Sequence, residues 1–331
     1  MTSQDNHLNR RQFLNQLGMV TAASLVAESA FATVKPWFEI SLAEFSLASS
    51  LFSGKLKNMD FPAKAKNDFG INAVEYVSMF WADKVKDQAY LSELKQRTSD
   101  LGVTNVLIMV DNEGDLGASD AAKRLKAVEN HYKWIEAAKF LGCHSVRVNM
   151  TGDGTPDELM KAGVDGYGKL AEFGQKTGIS VIIENHINVS TNPDWLVSLV
   201  KQVKNPYAGV LPDFGNFTER ETPKTMTMEG FRDAKVLNEF DKYEGVKKLM
   251  PYAKGVSAKT HLFDANGNCT DVDFNKMMPI VKAGLPKSFK GFIGIEYEGG
   301  FMKMMGAKEN YLDEDAGIKA TKALLEKALA L

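Results

Sequence analysis

Four apolar segments in the second half of the chain each stop at a side chain that can bind a metal or transfer a proton. They begin at Val181, Val210, Val256 and Phe292, and they reach Glu184 and His186, Asp213, His261, and Glu296, respectively. Each segment has the length of a buried strand, and helical periodicity separates one from the next. This succession predicts one site assembled at the carboxyl ends of parallel strands, where α/β barrels place their chemistry.

The rest of the chain supports that architecture. Strand-like runs occur near residues 38–46, 73–79, 105–110, 145–149, 180–184, 208–212, 254–260 and 292–297. Amphipathic segments follow them, over residues 91–101, 121–141, 159–177, 194–203, 275–283 and 313–331. Eight strand–helix units predict a single (β/α)8 TIM barrel. An open doubly wound sheet is the alternative, but no G-x-G-x-x-G motif follows the first strand.

Three connections are longer than a barrel requires. They cover residues 45–63, 111–118 and 217–246, and each follows a strand on its carboxyl side. We therefore expect them to overhang the site as walls or lids.

The amino terminus has the features of an export signal. Arg10 and Arg11 precede a modest apolar stretch over residues 17–27, and Ala30-Phe31-Ala32 offers an A-x-A cleavage site. This pattern predicts a twin-arginine signal over residues 1–32, cleavage after about Ala32, a mature barrel over residues 33–331 and a periplasmic location. An amphipathic helix with a chance arginine pair is the alternative. The apolar stretch is shorter than the roughly 20 residues of a membrane span, so no stable membrane insertion is expected after export.

Composition adds little to this. Of the 331 residues, 44% are hydrophobic and 25% charged, and the net charge is −2. These values are ordinary for a globular protein, and they give no reason to expect nucleic acid as a partner.

Glu184 and Glu296 fall on the fifth and eighth strands, where they would flank a substrate at the barrel mouth. Such a carboxylate pair can remove a proton beside a carbonyl and return it, giving epimerisation or aldose–ketose isomerisation through an enediol. A divalent metal held by both and by Asp213 would stabilise the enediolate. Oxygen ligands favour Mg or Mn, and an added histidine ligand would also make zinc possible.

These residues resemble a known group, the sugar isomerase/epimerase branch of the xylose isomerase-like barrel superfamily. Four fragments carry the resemblance, at residues 142–149, 183–186, 212–216 and 294–299, and the likeness extends from about Glu39 to the last helix. In the related ketose 3-epimerases, Glu, Asp, His and Glu from the last four strands bind a metal, and the two Glu exchange protons with the substrate. The resemblance thus implies acid/base roles for Glu184 and Glu296 and a ligand role for Asp213.

The seventh strand departs from the family pattern. Relatives commonly read Val-His-x-Lys-Asp there, whereas this chain places Ser257 at the ligand position and His261 four residues later. His261 is a metal ligand only if the strand continues or the loop folds back. Otherwise three carboxylates, completed by water or His186, could form the site. Lys259 could polarise a carbonyl oxygen or replace part of the charge of the metal.

Further polar side chains near strand ends are candidates for substrate binding. His186 shares the strand parity of Glu184, Asn216 follows Asp213 by three residues, and Arg147 and Asn149 end the fourth strand. The alternative for His186 is a hydrogen bond to a neighbouring loop, and for Asn216 it is a role in a turn. For Arg147 and Asn149 the alternative is an ion pair at the barrel mouth.

The leading hypothesis is an exported, metal-dependent isomerase or epimerase of a small-molecule sugar. A lyase acting on 3-keto-glycosides begins with the same enolisation and is the second hypothesis. A non-catalytic periplasmic sugar-binding barrel is the third. Relatives are often dimers or tetramers, so the resemblance also allows a homo-oligomer.

Overall fold

A computed structural model describes residues 36–221, 223–225 and 227–331 of the chain. The predicted export signal lies outside these ranges. Eight strands form one parallel sheet: β1 (Glu39–Ala43), β2 (Ala73–Val77), β3 (Thr104–Val110), β4 (Ser145–Val148), β5 (Ser180–Glu184), β6 (Ala208–Leu211), β9 (Val256–Thr260) and β10 (Phe292–Tyr297). All eight predicted strands are confirmed. The first ends earlier than expected, because the chain turns into a 3-10 helix at Glu44–Leu47.

The sheet closes into a barrel. Its strands follow the order β6-β5-β4-β3-β2-β1-β10-β9. Parallel bridges from Val210 to Ala253 and from Asp213 to Ser257 join the two edges. The Ser257 amide donates to the Pro212 carbonyl oxygen at 2.9 Å across this closure. The fold is therefore the single (β/α)8 TIM barrel that the sequence predicts.

Helices occupy the segments between the strands. They are α1 (Ala48–Phe52), α2 (Phe61–Phe69), α3 (Gln88–Leu101), α4 (Ala121–Leu141), α5 (Pro156–Thr177), α6 (Pro193–Val203), α7 (Met228–Asp233), α8 (Lys242–Leu249), α9 (Phe274–Ala283), α10 (Gly299–Met304) and α11 (Glu314–Ala328). Local sequence sets their ends. Thr155 and Glu158 form a capping box at the start of α5, and Gly178 ends that helix in the left-handed conformation. None of the described helices is long and apolar enough to cross a membrane.

The strand period of two places alternate side chains inside the barrel. Apolar side chains from several strands pack together inside the barrel, among them Ala43, Val77, Leu107, Met109, Ile182 and Leu211. Several positions near the carboxyl ends of the strands carry charged side chains. Arg147 stands across from Ile182 in the register, and Lys259 stands across from Glu296. Apolar and charged side chains therefore lie side by side at this end of the barrel.

The connection over residues 217–246 is more ordered than the sequence indicates. A short antiparallel hairpin, β7 (Thr218–Arg220) with β8 (Val236–Glu239), stands within it, and α8 follows. Each hairpin strand is only three or four residues long and partly or fully exposed, so no hydrophobic alternation reveals it.

Two glycines of α5 test how closely this helix packs on the loop over residues 111–118. A Cβ at Gly166 would collide with the backbone carbonyl oxygen of Leu116, whereas a Cβ at Gly168 would meet nothing within 4 Å. We expect Gly166→Ala to destabilise the fold by about 1–3 kcal/mol through overpacking. Gly168→Ala should stabilise it by about 0.5–1 kcal/mol, as alanine does within helices. Urea unfolding of both variants measures the contrast, and equal effects would contradict the close approach.

Candidate active site

A cavity of about 570 Å³ lies at the carboxyl-terminal mouth of the barrel. Its polar wall carries Asp111, Asn112, Arg147, Asn149, His186, Asn216, Arg220, Lys259, His261, Glu296 and Glu298. Its apolar wall carries Phe45, Val77, Met79, Phe301, Met302 and Met305. A cavity of this size with convergent polar groups is typical of a small-molecule site.

Three carboxylates converge at the barrel mouth. One oxygen each from Glu184, Asp213 and Glu296 lies within 4.8 Å of the others. Glu296 lines the cavity, whereas Glu184 and Asp213 lie behind it with exposures of 1% and 0%. Burial raises the pKa of the Glu184 and Asp213 carboxyls above their usual range, although Arg147 and Lys259, respectively, oppose this. The predicted acidic residues therefore come together as one buried cluster.

Arg147 connects Glu184 to the loop after β3. Its Nη1 donates to Asp111 Oδ1 at 2.8 Å, and its Nε lies 2.9 Å from Glu184 Oε2 without hydrogen-bond alignment. The Arg147 side chain is only 5% exposed. Burial alone would lower its pKa, but the two carboxylates keep it raised, so the guanidinium stays charged. The ion pair that the sequence offered as an alternative is present.

Lys259 lies among the carboxylates. Its Nζ contacts Glu298 Oε1 at 2.8 Å and stands 3.8 Å from both Asp213 Oδ2 and Glu296 Oε2. Burial alone would lower the pKa of Lys259, yet these acids hold it well above its usual range. The ammonium therefore stays protonated beside the oxygens that would bind a metal.

Ser257 occupies the position on β9 at which the sequence resemblance leads one to expect a histidine. Its hydroxyl lies 2.8 Å from Asp213 Oδ2 and 2.7 Å from Glu296 Oε2, and it can donate to one of them at a time. Ser257 thus links two of the three carboxylates through a hydrogen bond, a role that its residue type alone does not indicate.

His261 contacts other carboxylates instead of the three that converge. Its Nδ1 lies 3.2 Å from Asp271 Oδ2, and its Nε2 lies 3.2 Å from Glu298 Oε2. Burial would lower the pKa of His261, but hydrogen bonds to these two acids raise it to about 9. Its role as a metal ligand stays a prediction, and both of its ring nitrogens are already engaged.

Asn149 fixes the tautomer of His186. The Asn149 amide nitrogen donates to Asp111 at 2.7 Å, so its oxygen faces Arg147 and the ring of His186. Because that oxygen can only accept, His186 Nδ1 carries the proton, at 2.8 Å, and Nε2 keeps its lone pair. Burial, together with Arg147 and Lys259, lowers the pKa of His186 to about 4. A neutral histidine with an acceptor nitrogen therefore lines the cavity.

Asn216 lies beside the acidic cluster. Its side-chain amide donates to Glu184 Oε1 at 3.1 Å, and its backbone amide donates to Asp213 Oδ1 at 3.0 Å. It also lines the cavity. The structure thus unites the turn role and the site position that the sequence left as alternatives.

Sequence reasoning assigned no role to several residues of the site. Asp111 binds Arg147 and Asn149, and Glu298 binds Lys259 and His261. Asn185 accepts from the Asp213 amide at 2.8 Å and donates to the Asp213 carbonyl at 3.0 Å, so it fixes the loop that carries this acid. Continued strand parity after Met109 and Glu296 would have indicated Asp111 and Glu298.

The residues present fit a divalent cation. Asp111, Glu184, Asp213, Glu296 and Glu298 face two cations, Arg147 and Lys259, while His261 is balanced by Asp271. Three negative charges therefore lack a partner when all five acids are ionised. Glu184 Oε2 is buried and receives no hydrogen bond in the described part of the chain. A divalent metal would offset this excess charge, with Glu184, Asp213 and Glu296 as its ligands.

Lys259 should compete with such a cation. Two charges at about 4 Å interact by about 4 kcal/mol at an effective dielectric constant of 20. We therefore expect Lys259→Met to tighten Mn²⁺ binding at least tenfold, measured by calorimetry. Lys254→Met is the matched control, since Lys254 is also buried but donates to the Pro206 carbonyl, away from the acids. Unchanged affinity in Lys259→Met would contradict the competition.

Comparison with known proteins gives a consistent picture of the fold. The family model described as xylose isomerase-like TIM barrel matches residues 63–325. No curated protein sequence matches the chain at a significant level.

Solved structures share the architecture at low sequence identity. D-psicose 3-epimerase, solved with D-fructose, superposes with a TM-score of 0.65 at 14% identity, covering 88% of this chain and 100% of that one. The 3-keto-D-glucoside 4-epimerase of E. coli superposes with a TM-score of 0.56 at 14% identity, covering 88% of this chain and 99% of that one. The IolI protein with a bound zinc superposes with a TM-score of 0.61 at 14% identity, covering 88% of this chain and 98% of that one. At such identities the likeness establishes the fold alone.

Proposed function

We propose that this chain, which belongs to the xylose isomerase-like TIM barrel family, is a sugar isomerase or epimerase that transfers a proton next to a carbonyl. The observation that carries the proposal is the convergence of Glu184, Asp213 and Glu296 within 4.8 Å at a polar cavity. Structural neighbours that act on psicose and on a 3-keto-glucoside support a sugar as the substrate class.

Glu296 and Glu184 are the acid/base pair in this proposal. Glu296 lines the cavity and can reach a substrate C–H directly. Glu184 accepts a hydrogen bond from Asn216 and lies beside Glu296 in the same acidic cluster, where it can give or take the second proton. The divalent metal that the three carboxylates would hold, Mn or Mg by ligand type, supplies stabilisation of enediolate charge when bound.

The polar wall orients the substrate in this proposal. His186 Nε2 accepts a hydrogen bond from a substrate hydroxyl, whereas Arg147, Asn149 and Asn216 offer N–H donors around the acidic cluster. Lys259, fixed by Glu298, places a positive charge where negative charge develops on the substrate oxygen.

Proton exchange tests the proposal. Mature protein with Mn²⁺ or Mg²⁺ in deuterium oxide is offered ketoses, aldoses and 3-keto-glycosides, and NMR follows the product. We expect deuterium to appear next to a carbonyl. Tight sugar binding without exchange on any compound would instead support the non-catalytic binding barrel.

One observation favours the lyase as a second candidate. His261, held protonated by Asp271 and Glu298, lines the same cavity as Glu296. A base removes the proton from C2, next to the C3 ketone of a 3-keto-glycoside. The enolate electrons then form the C1–C2 double bond and break the bond from C1 to the glycosidic oxygen, which takes a proton. His261 can supply it, so release of the aglycone in the exchange experiment would identify the lyase.

We further propose export by the twin-arginine route to the periplasm. Replacing both Arg10 and Arg11 with lysine should leave uncleaved precursor inside the cell. Without the replacements, mature protein beginning near Thr33 should be recovered from the periplasm, as amino-terminal sequencing can establish. Periplasmic recovery of the double variant at normal yield would contradict this route.

A further inference from the structure

A second cavity, of about 380 Å³, adjoins the first. It is formed by the loop over residues 112–115 together with His131 and Thr151. Asn112, Asn149 and Ile187 line both cavities. A ligand of sufficient length can therefore occupy the two spaces together, crossing beside Asn149.

His131 presents an unused acceptor to this second cavity. The residue lies on α4 and is only 2% exposed. Its Nδ1 lies 2.7 Å from the Ala127 carbonyl oxygen, which can only accept, so Nδ1 carries the proton. Burial lowers the pKa of His131, which keeps the ring neutral. Nε2 therefore has a lone pair, and among the described residues it has no hydrogen-bond partner. Because His131 lines the cavity, this nitrogen can accept a hydrogen bond from water or from a ligand that enters it.

The other polar groups of the second cavity are also mainly acceptors. Asp115 receives the Thr151 hydroxyl at 2.6 Å on one carboxylate oxygen. The Glu113 carboxylate is already held by Lys133 at 2.8 Å and by the Trp134 indole at 2.6 Å. None of the described residues that line this cavity is a lysine or an arginine. Such a lining suits neutral hydroxyl donors and does not suit a phosphate or a carboxylate.

Asn149 can serve ligands in both cavities. Its oxygen is shared by Arg147 and His186, and its nitrogen donates to Asp111. An amide nitrogen carries two hydrogens, so one N–H remains for a ligand. The hydrogen bonds of Asn149 that orient His186 in the first cavity therefore also hold a polar side chain in the wall of the second.

We propose that the second cavity is a subsite for a neutral hydroxylated ring joined to the reacting sugar, with His131 Nε2 accepting one of its hydroxyls. The substrate is then a disaccharide or a similar glycoside rather than a free monosaccharide. This inference rests on the proposed function for the role of the first cavity.

Calorimetry with unreactive saccharides tests the subsite. Methyl glucoside is compared with a panel of glucosyl disaccharides, using mature protein with Mn²⁺ present throughout. We expect at least one disaccharide to bind at least tenfold more tightly than the monosaccharide. His131→Phe should remove this advantage and leave the monosaccharide affinity unchanged. His131→Gln, whose amide oxygen can replace the Nε2 acceptor, should retain most of it.

His144→Phe is the matched control, because His144 is a half-buried histidine that lines neither cavity. It should leave both affinities unchanged. NMR of wild-type protein with ¹⁵N-labelled histidine provides a reading without substitution, even where His131→Phe fails to fold. The Nε2 resonance of His131 should shift with the disaccharide and not with methyl glucoside.

Equal binding of both saccharide classes, or of neither, by wild-type protein would overturn the subsite, as would a disaccharide advantage that persists in His131→Phe. The outcomes separate it from the proposed function. Deuterium exchange on a keto-monosaccharide without any disaccharide advantage keeps the enzyme and removes the subsite. A disaccharide-dependent shift of His131 without exchange on any keto-sugar keeps the subsite and removes the enzyme.

Discussion

Glu296→Gln is expected to lower the rate of deuterium exchange by about 10²–10⁴-fold, the usual contribution of a positioned acid or base. In the wild type the Ser257 hydroxyl lies 2.7 Å from Glu296 Oε2. Glutamine keeps an oxygen that can accept this hydrogen bond, but its amide cannot take a proton from carbon. The variant should remain folded, because removing one of three converging carboxylates relieves their mutual repulsion. NMR of exchange in deuterium oxide, together with thermal unfolding, measures both effects.

Glu44→Gln is the matched control for this substitution. Glu44 is also fully buried, but it accepts hydrogen bonds from Asn58 and from the Val77 amide and does not line the cavity. Exchange by Glu44→Gln should stay close to wild type. Full exchange by Glu296→Gln would rule out its role as a base, and the same test applied to Glu184→Gln would decide whether two carboxylates are needed.

The buried position of Glu184 sharpens that second test. Glu296 lines the cavity, whereas Glu184 does not and instead contacts Asn216, Arg147 and the acidic cluster. If the exchange loss in Glu184→Gln follows Mn²⁺ affinity and is restored by excess metal, Glu184 acts as a ligand. If exchange is lost while metal affinity is kept, it acts as a proton donor or acceptor.

The barrel and its acidic cluster could be predicted from the sequence, because two patterns are sufficient for them: the alternation of side chains within strands and the succession of strands and helices. Alternation within β5 and β10 points Glu184 and Glu296 inward, and the order of strands and helices closes the ring. Parity alone, however, does not give distances. Ser257 and Asp213 are 44 residues apart in the chain, and only the closure of the sheet brings their oxygens to 2.8 Å.

Loop residues were harder to predict from sequence for a different reason. Asp111 and Glu298 follow their strands directly, but their partners come from other loops and strands. His261 illustrates the limit. Its strand parity is that of Lys259, yet the loop that follows brings Asp271 to one ring nitrogen and Glu298 to the other. Side-chain pairing between loops depends on tertiary packing, which local patterns do not encode.

Arg147→Met is expected to lower the free energy of unfolding by about 3–5 kcal/mol, because it leaves the buried Glu184 and the partly buried Asp111 without their cation. Asp111 Oδ1 and Glu184 Oε2 lie 2.8 and 2.9 Å from the guanidinium, which is 5% exposed, and methionine preserves only the apolar stem. Arg97→Met is the control. Arg97 binds Glu93 and Asp60 at similar distances but is 43% exposed, so its loss should cost at most about 1 kcal/mol.

The pH dependence of this loss has a definite sign. Burial would raise the pKa of Asp111, but Arg147 and His186 bring it below its usual value. A carboxyl with a lowered pKa in the folded state contributes stability above its unfolded pKa of about 3.9 and loses that contribution at lower pH. The difference between wild type and Arg147→Met in urea unfolding should therefore be largest above neutral pH. It should narrow first as Glu184, whose pKa is raised to about 7, takes up a proton, and again below about pH 4 as Asp111 does. A difference that is constant with pH would mean that Arg147 stabilises the fold by packing rather than by charge.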